Sequence, residues 1–181
     1  GLDERLRKAG FLFVLVGYGT KAGLAPMHSW LPDAHSQAPA PVSALFSGFM
    51  LNAGLYCIMR YSALCRAAGP LAQWSAGLLQ ALGLLSIALA AAFILFQRDG
   101  KRLLAYCSVE HVGIITLGLG LGVPGAFAAL FHALNHSLSK SVAFFCMGRL
   151  GQIYGTHDLR RLAGAARREP VWGNGLAVSF L

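Results

Sequence analysis

Between residues 132 and 140 the chain reads HALNHSLSK, which sets His132, His136 and Lys140 four residues apart. On an α-helix that spacing makes one stripe, with neighbours about 6 Å apart along the axis. Two imidazoles and an amine at this pitch could hold a water chain and hand protons from one titratable group to the next. Asn135 and Ser139 flank the stripe. Two plainer readings stand beside the relay. One is polar side chains that bind helices together. The other is a metal site, because His at i and i+4 can share a zinc ion. Against the metal, the glutamate of H-E-x-x-H is absent, no carboxylate or thiolate is near in sequence, and Lys140 would repel a cation.

A second place for proton chemistry is GYGTKAGLAPMHSW, residues 17–30. Lys21 stands one to two turns before Pro26, and a proline interrupts the backbone ladder. Discontinuous helices of this kind build ion sites in membrane transporters. A lysine partly withdrawn from water there can load and release a proton. The alternative is a lysine whose stem reaches to the membrane surface. The G-x-G-x-K-x-G-x-x-P spacing predicts a kinked or non-helical chain at Pro26, with Lys21 facing the bundle interior. His28 follows closely. Glu110 and His111, in AYCSVEHVG, fall one to two turns into a later helical run. Glu110 could pair with a lysine of another helix or hold a loop at the wet boundary.

The elements that must position these groups are apolar and helical. Of the 181 residues, 56% are apolar and 12% charged, against about 25% charged in a soluble domain. Apolar runs cover about residues 11–25, 42–64, 74–96, 103–123 and 126–150, and another begins near Val171. They are of helix length, rich in Ala, Leu and Gly, and show no alternation. The fold class is therefore all-α, a polytopic transmembrane bundle with one discontinuous helix. Residues 1–181 read as a single transmembrane domain of about five spans plus the start of a sixth. The charged opening GLDERLRK and the apolar end suggest an internal piece of a longer protein.

The net charge of +8 does not point to nucleic acid, because the basic residues sit in short loops rather than along one polar face. Taking the broken run as one crossing, Arg98, Lys101, Arg102, Arg149, Arg160, Arg161, Arg167 and Arg168 share one side. Arg5, Arg7, Lys8, Arg60 and Arg66 share the other. The richer side is assigned to the cytoplasm, and with it the 33–41 loop. Cys57, Cys65, Cys107 and Cys146 lack C-x-x-C spacing and read as small buried hydrophobes.

Three motifs in order carry a family resemblance. Lys21 with PMHSWLPDAHSQAPAPVSAL resembles the broken-helix region of the antiporter-like subunits of respiratory complex I. QRDGKRLLAYCSVEHVG and FHALNHSLSKSVAFFCMG resemble two further signatures of that family. SVEHVG, HALNHSLSK and YGTHDL resemble the hydrogenase-4 component F branch, found in group 4 membrane-bound hydrogenases and formate hydrogenlyase-like complexes. The resemblance implies a proton-translocating subunit of a redox-driven complex in a prokaryotic inner (plasma) membrane. Lys21, His132, His136 and Lys140 would be its proton relay, and Lys21 would pair with a glutamate on an earlier helix. Complex I relatives carry a Lys or His in the helix after PVSAL, where this chain has Ser47 and Asn52. These two, with Glu110, His111 and His28, are secondary candidates. No cofactor is expected in this chain. Fe–S clusters and a NiFe site or flavin would belong to partner subunits of a peripheral redox arm, beside other membrane subunits. A multi-subunit cation/proton antiporter with no redox partner, and a structural membrane anchor, are the competing functions.

Overall fold

The computed structural model describes residues 4–67 and 69–180. Helix α1, Glu4–Ala22, opens with a Glu4–Lys8 ion pair of 2.7 Å. It stops where the sequence predicts. Gly23 takes φ +76°, and its amide and that of Leu24 fold back on Thr20 and Gly19 carbonyls. The indole N–H of Trp30 donates to the Thr20 carbonyl at 2.8 Å, closing an end that would otherwise leave carbonyls bare. The Ala25–Pro26 bond is cis, and the Ala25 amide donates to Ser86 Oγ at 2.9 Å, which pins the break to a neighbouring helix.

After the break come α2 (Trp30–Gln37) and α3 (Ala40–Leu45). A π turn at Phe46–Met50 then leads without interruption into α4, Leu51–Ala67. The long helices α5 (Pro70–Ile94), α6 (Gly100–Gly120) and α7 (Val123–Tyr154) follow. The chain continues in short α8 (Ala165–Arg168) and α9 (Pro170–Val178). No strand forms among the described residues; the one β-type contact is an isolated bridge between Asp99 and Asp158.

Three stretches are long and apolar enough to cross a membrane: Ala40–Ala67, Leu71–Ile94 and Gly100–Gly120. Helices α1 and α7, with 19 and 32 residues, have crossing length at 1.5 Å per residue. They stand outside that set; the centre of α7 holds the His, Asn, Ser and Lys of HALNHSLSK. Cys65 and Cys146 are buried, whereas Cys57 and Cys107 are half-buried; all four are free thiols.

One apolar core joins α1, α4, α5 and α6 through Phe11, Leu15, Leu55, Ile58, Leu79 and Val112. A second gathers Phe144, Met147 and Leu150 of α7 with Leu104 and Leu162. Helices α5 and α6 touch backbone to backbone. A Cβ on Gly83 would lie 2.7 Å from the Leu117 amide nitrogen, and one on Gly113 would lie 2.9 Å from the Gly83 carbonyl oxygen. Small residues allow this approach, and van der Waals packing then holds helices that lipid would solvate equally well.

At the end of the bundle where α6 begins, the 97–102 turn docks on the 155–159 loop. The Gly100 amide donates to the His157 carbonyl and the Leu159 amide to the Arg98 carbonyl, both at 2.9 Å. The His157 ring lies against Gly151, where a Cβ would collide with it. Burial holds this imidazole below its usual value, Lys101 pushes the same way, and Asp99 opposes.

Two outcomes follow from this packing. Gly83→Val should force α5 and α6 apart and destabilise by about 1–3 kcal/mol; a lower melting temperature of the detergent-solubilised full-length protein measures it. For His157 the folded state favours the neutral ring. Its contribution is complete above about pH 6.5 and is lost as pH falls through the depressed value. The protection of the Gly100 and Leu159 amides, taken as exchange relative to the intrinsic rate at each pH, should therefore fall as pH drops below about 6.5, and His157→Gln should flatten that dependence.

Candidate functional site

The HALNHSLSK stripe forms as its spacing predicts. His136 and Lys140 are 1% and 2% exposed, and His132 is half-buried. They line a cavity of about 460 Å³ with Asn135 and Ser139. Helix α6 closes one side with His111, and Ser179 and Phe180, beyond α9, close another. Lys140 Nζ lies 5.6 Å from the centre of the Phe180 ring, within cation–π range.

His111 moves from a secondary to a central position. Its Nδ1 lies 2.8 Å from His132 Nε2, and its ring centre is 5.0 Å from that of His136. A hydrogen bond between two imidazoles needs one N–H and one lone pair. The pair therefore cannot be doubly cationic while the bond holds, and it can pass a proton along the bond. Glu110, half-buried one residue earlier, is close enough to act electrostatically on Lys140 and Cys107. No ion pair among the described residues includes it.

Ser47 and Asn52 do not line this cavity; they sit in and just after the π turn, a feature often found at functional sites. The Asn52 amide donates to Ser137 Oγ at 2.6 Å and to the Gly48 carbonyl at 3.0 Å. Ser137 Oγ donates to the same carbonyl at 2.7 Å. Gly48 is needed here, because a Cβ would stand 2.5 Å from Ser141 Oγ. On the other face Ser47 Oγ meets Ser108 Oγ at 2.9 Å, both fully buried. The Ser47 carbonyl faces the His136 ring, although neither ring nitrogen closes a hydrogen bond within the protein.

Two expected residues lie elsewhere. Lys21 does not face the interior of the described bundle; it is exposed on the last turn of α1. The inner side of that turn is occupied. Gly19 and Ala22 are buried there, and α4 comes so close that a Cβ on Gly54 would be 3.1 Å from the Tyr18 carbonyl oxygen. No space remains for a lysine stem. His28 is buried between Phe93 and Tyr106, with ring centres 6.5 and 6.4 Å away, apart from the histidine cavity.

Sequence reasoning passed over Ser108, Ser137 and Ser141, since a lone serine in an apolar run gives no signal. It also passed over His35, which is fully buried, stacked on Phe144 at 4.7 Å, and without a partner at either nitrogen. The i, i+7 spacing of His28 and His35 was the available hint. Gly48→Leu should separate the π turn from α7 and lower the amount of assembled complex several-fold on native gels, whereas Ser141→Ala should leave assembly intact.

The sequence matches, over residues 1–181, the family described as NADH:quinone oxidoreductase/Mrp antiporter, TM. It is 47% identical to a hydrogenase-4 component F homolog of Methylacidiphilum infernorum, over 99% of this chain and 38% of that protein. It is 39% identical to NADH-quinone oxidoreductase subunit N of Desulforudis audaxviator, over 94% of this chain and 34% of that one. Among solved structures, a chain of the archaeal membrane-bound sulfane sulfur reductase superposes with a TM-score of 0.87 at 33% identity, covering 94% of this chain and 35% of that chain. The chain thus spans a little over a third of each relative's length. With its apolar helices and its buried histidine–lysine row, it belongs to the transmembrane, antiporter-like subunit family shared by NADH:quinone oxidoreductases and Mrp antiporters.

Proposed function

We propose that this chain forms a central part of a proton path in a membrane subunit of a redox-driven complex of the hydrogenase or NADH–quinone type. The observation that carries it is the cavity where His111, His132, His136 and Lys140 meet. A buried charge in a membrane is costly, and a structural anchor would have no need of four such groups around one polar space. Proton transfer would run along the His132–His111 bond and across the cavity to His136 and Lys140. Where a titratable side chain is missing after PVSAL, Ser47 with Ser108 and Asn52 with Ser137 would offer two separate hydroxyl and amide pairs to water. Lys21 is the switchable member at the helix break. Its exposed position suits pairing with a carboxylate on another helix of the full subunit. The redox centres, Fe–S clusters with NiFe or flavin, belong to partner subunits, and the drive is electrostatic. The Mrp part of the family description supports a second reading, cation/proton exchange without a redox partner.

Lys21→Ala and Lys140→Ala in the full-length protein should each reduce proton uptake by vesicles by tenfold or more, with the complex still assembled on native gels. Wild-type uptake in both variants would overturn the relay and favour the anchor. His111→Phe should break the bond to His132 and lower uptake at least as strongly, with Asn135→Ala as the mild control. Uptake driven by a sodium or potassium gradient, with no response to reductant, would favour the antiporter reading.

A further inference from the structure

Helix α5 reaches the end of its apolar span at Ile94, and α6 begins the next at Gly100. Residues 95–99 therefore lie at a membrane surface. The first two are Leu95 and Phe96, 80% and 81% exposed. Large apolar side chains so exposed at a turn between spans are placed to meet acyl chains near the headgroups. Two residues on stands Arg98, and the 155–164 loop brings Arg160 to it. These residues, with Gln97 and Leu159, line one cavity of about 320 Å³.

The cavity is fixed in shape. The Leu159 amide donates to the Arg98 carbonyl and the Gly100 amide to the His157 carbonyl, both at 2.9 Å. The two nearby carboxylates are turned to the backbone: Asp99 accepts from the Arg102 amide at 2.8 Å, and Asp158 accepts from the Arg160 amide at 3.0 Å. Neither Arg98 nor Arg160 has an ion pair among the described residues. Two free guanidinium groups over an apolar step match a phosphodiester carried on hydrocarbon chains, because the planar fork of Arg suits phosphate oxygens.

We propose that this cavity is a binding site for the headgroup of an anionic glycerophospholipid, with Leu95 and Phe96 against its acyl chains. Basic pockets at membrane helix ends hold such headgroups in general. The site is separate from the histidine cavity and does not depend on the relay.

The test uses the full-length subunit in its purified, delipidated complex, titrated with phosphatidylglycerol and followed by native mass spectrometry. The R98Q/R160Q variant should bind the tightest phosphatidylglycerol about tenfold more weakly or more, with phosphatidylcholine binding unchanged. Leu95→Ala with Phe96→Ala, which leaves both arginines, should weaken phosphatidylglycerol binding without altering the response to inorganic phosphate. Equal phosphatidylglycerol binding by wild type and both variants overturns the site. So does competition by millimolar inorganic phosphate as effective as the lipid itself. Loss of a neighbouring protein subunit, with lipid binding unchanged, would assign the surface to protein instead. If R98Q/R160Q fails to assemble, the Leu95/Phe96 variant decides alone.

Discussion

Lipid cannot solvate the centre of α7. Three titratable side chains stand on one stripe of a helix in a chain whose neighbouring helices are long and apolar, and each would be costly against hydrocarbon. The bundle answers by surrounding that stripe. Helix α6 supplies a third imidazole at hydrogen-bonding distance from the first. The segment after α9 supplies an aromatic face for the amine. The π turn supplies a carbonyl toward the middle ring. What results is a polar space inside an apolar assembly, with its titratable members close enough to compete for protons.

The rotation of α7 has to be set for this to work, and small residues set it. Ser137 and Ser141 lie next to His136 and Lys140 in sequence, about 100° around the helix. Their side of α7 meets Gly48, where a Cβ would stand 2.5 Å from Ser141 Oγ and 3.2 Å from the Ser137 carbonyl oxygen. The Asn52 amide and the Ser137 hydroxyl then share the Gly48 carbonyl. Docking α7 by its serine face against the π turn leaves its histidine–lysine face directed to α6. A polar contact of modest energy thus decides where costly groups point.

Much of this was legible in the sequence. The i, i+4, i+8 stripe, the break at Gly23–Pro26 and the helical class all follow from local periodicity and backbone rules, which act within a few residues. The parts that were not legible depend on contacts between distant residues. The pairing of His111 with His132 needs the register of α6 on α7, and a single sequence does not encode that register locally. The π turn has no composition signal in FSGFM. Lys21 is the instructive miss. Position near a helix break predicts an interior place, but the side of α1 that faces α4 is set by Tyr18 and Ala22, which meet Gly54, and Lys21 lies off it.

The same helix contacts join the two regions that the chemistry treats as separate. Gly54 of α4 abuts the last turn of α1, one turn below the break that carries Lys21. Asn52, two residues earlier, clasps Ser137 of α7. Residues at i and i+2 on a helix point to different sides, so α4 touches the broken helix with one face and the histidine helix with another. A shift of α1 large enough to move Lys21 would press on the Tyr18 carbonyl and Ala22, and α4 has no side chain at Gly54 to yield. The displaced element would be the short stretch from Gly48 to Gly54. The first part of that stretch, Gly48–Met50, belongs to the π turn. Along α4, then, one face meets the end of α1 at Gly54 and another meets α7 at Asn52.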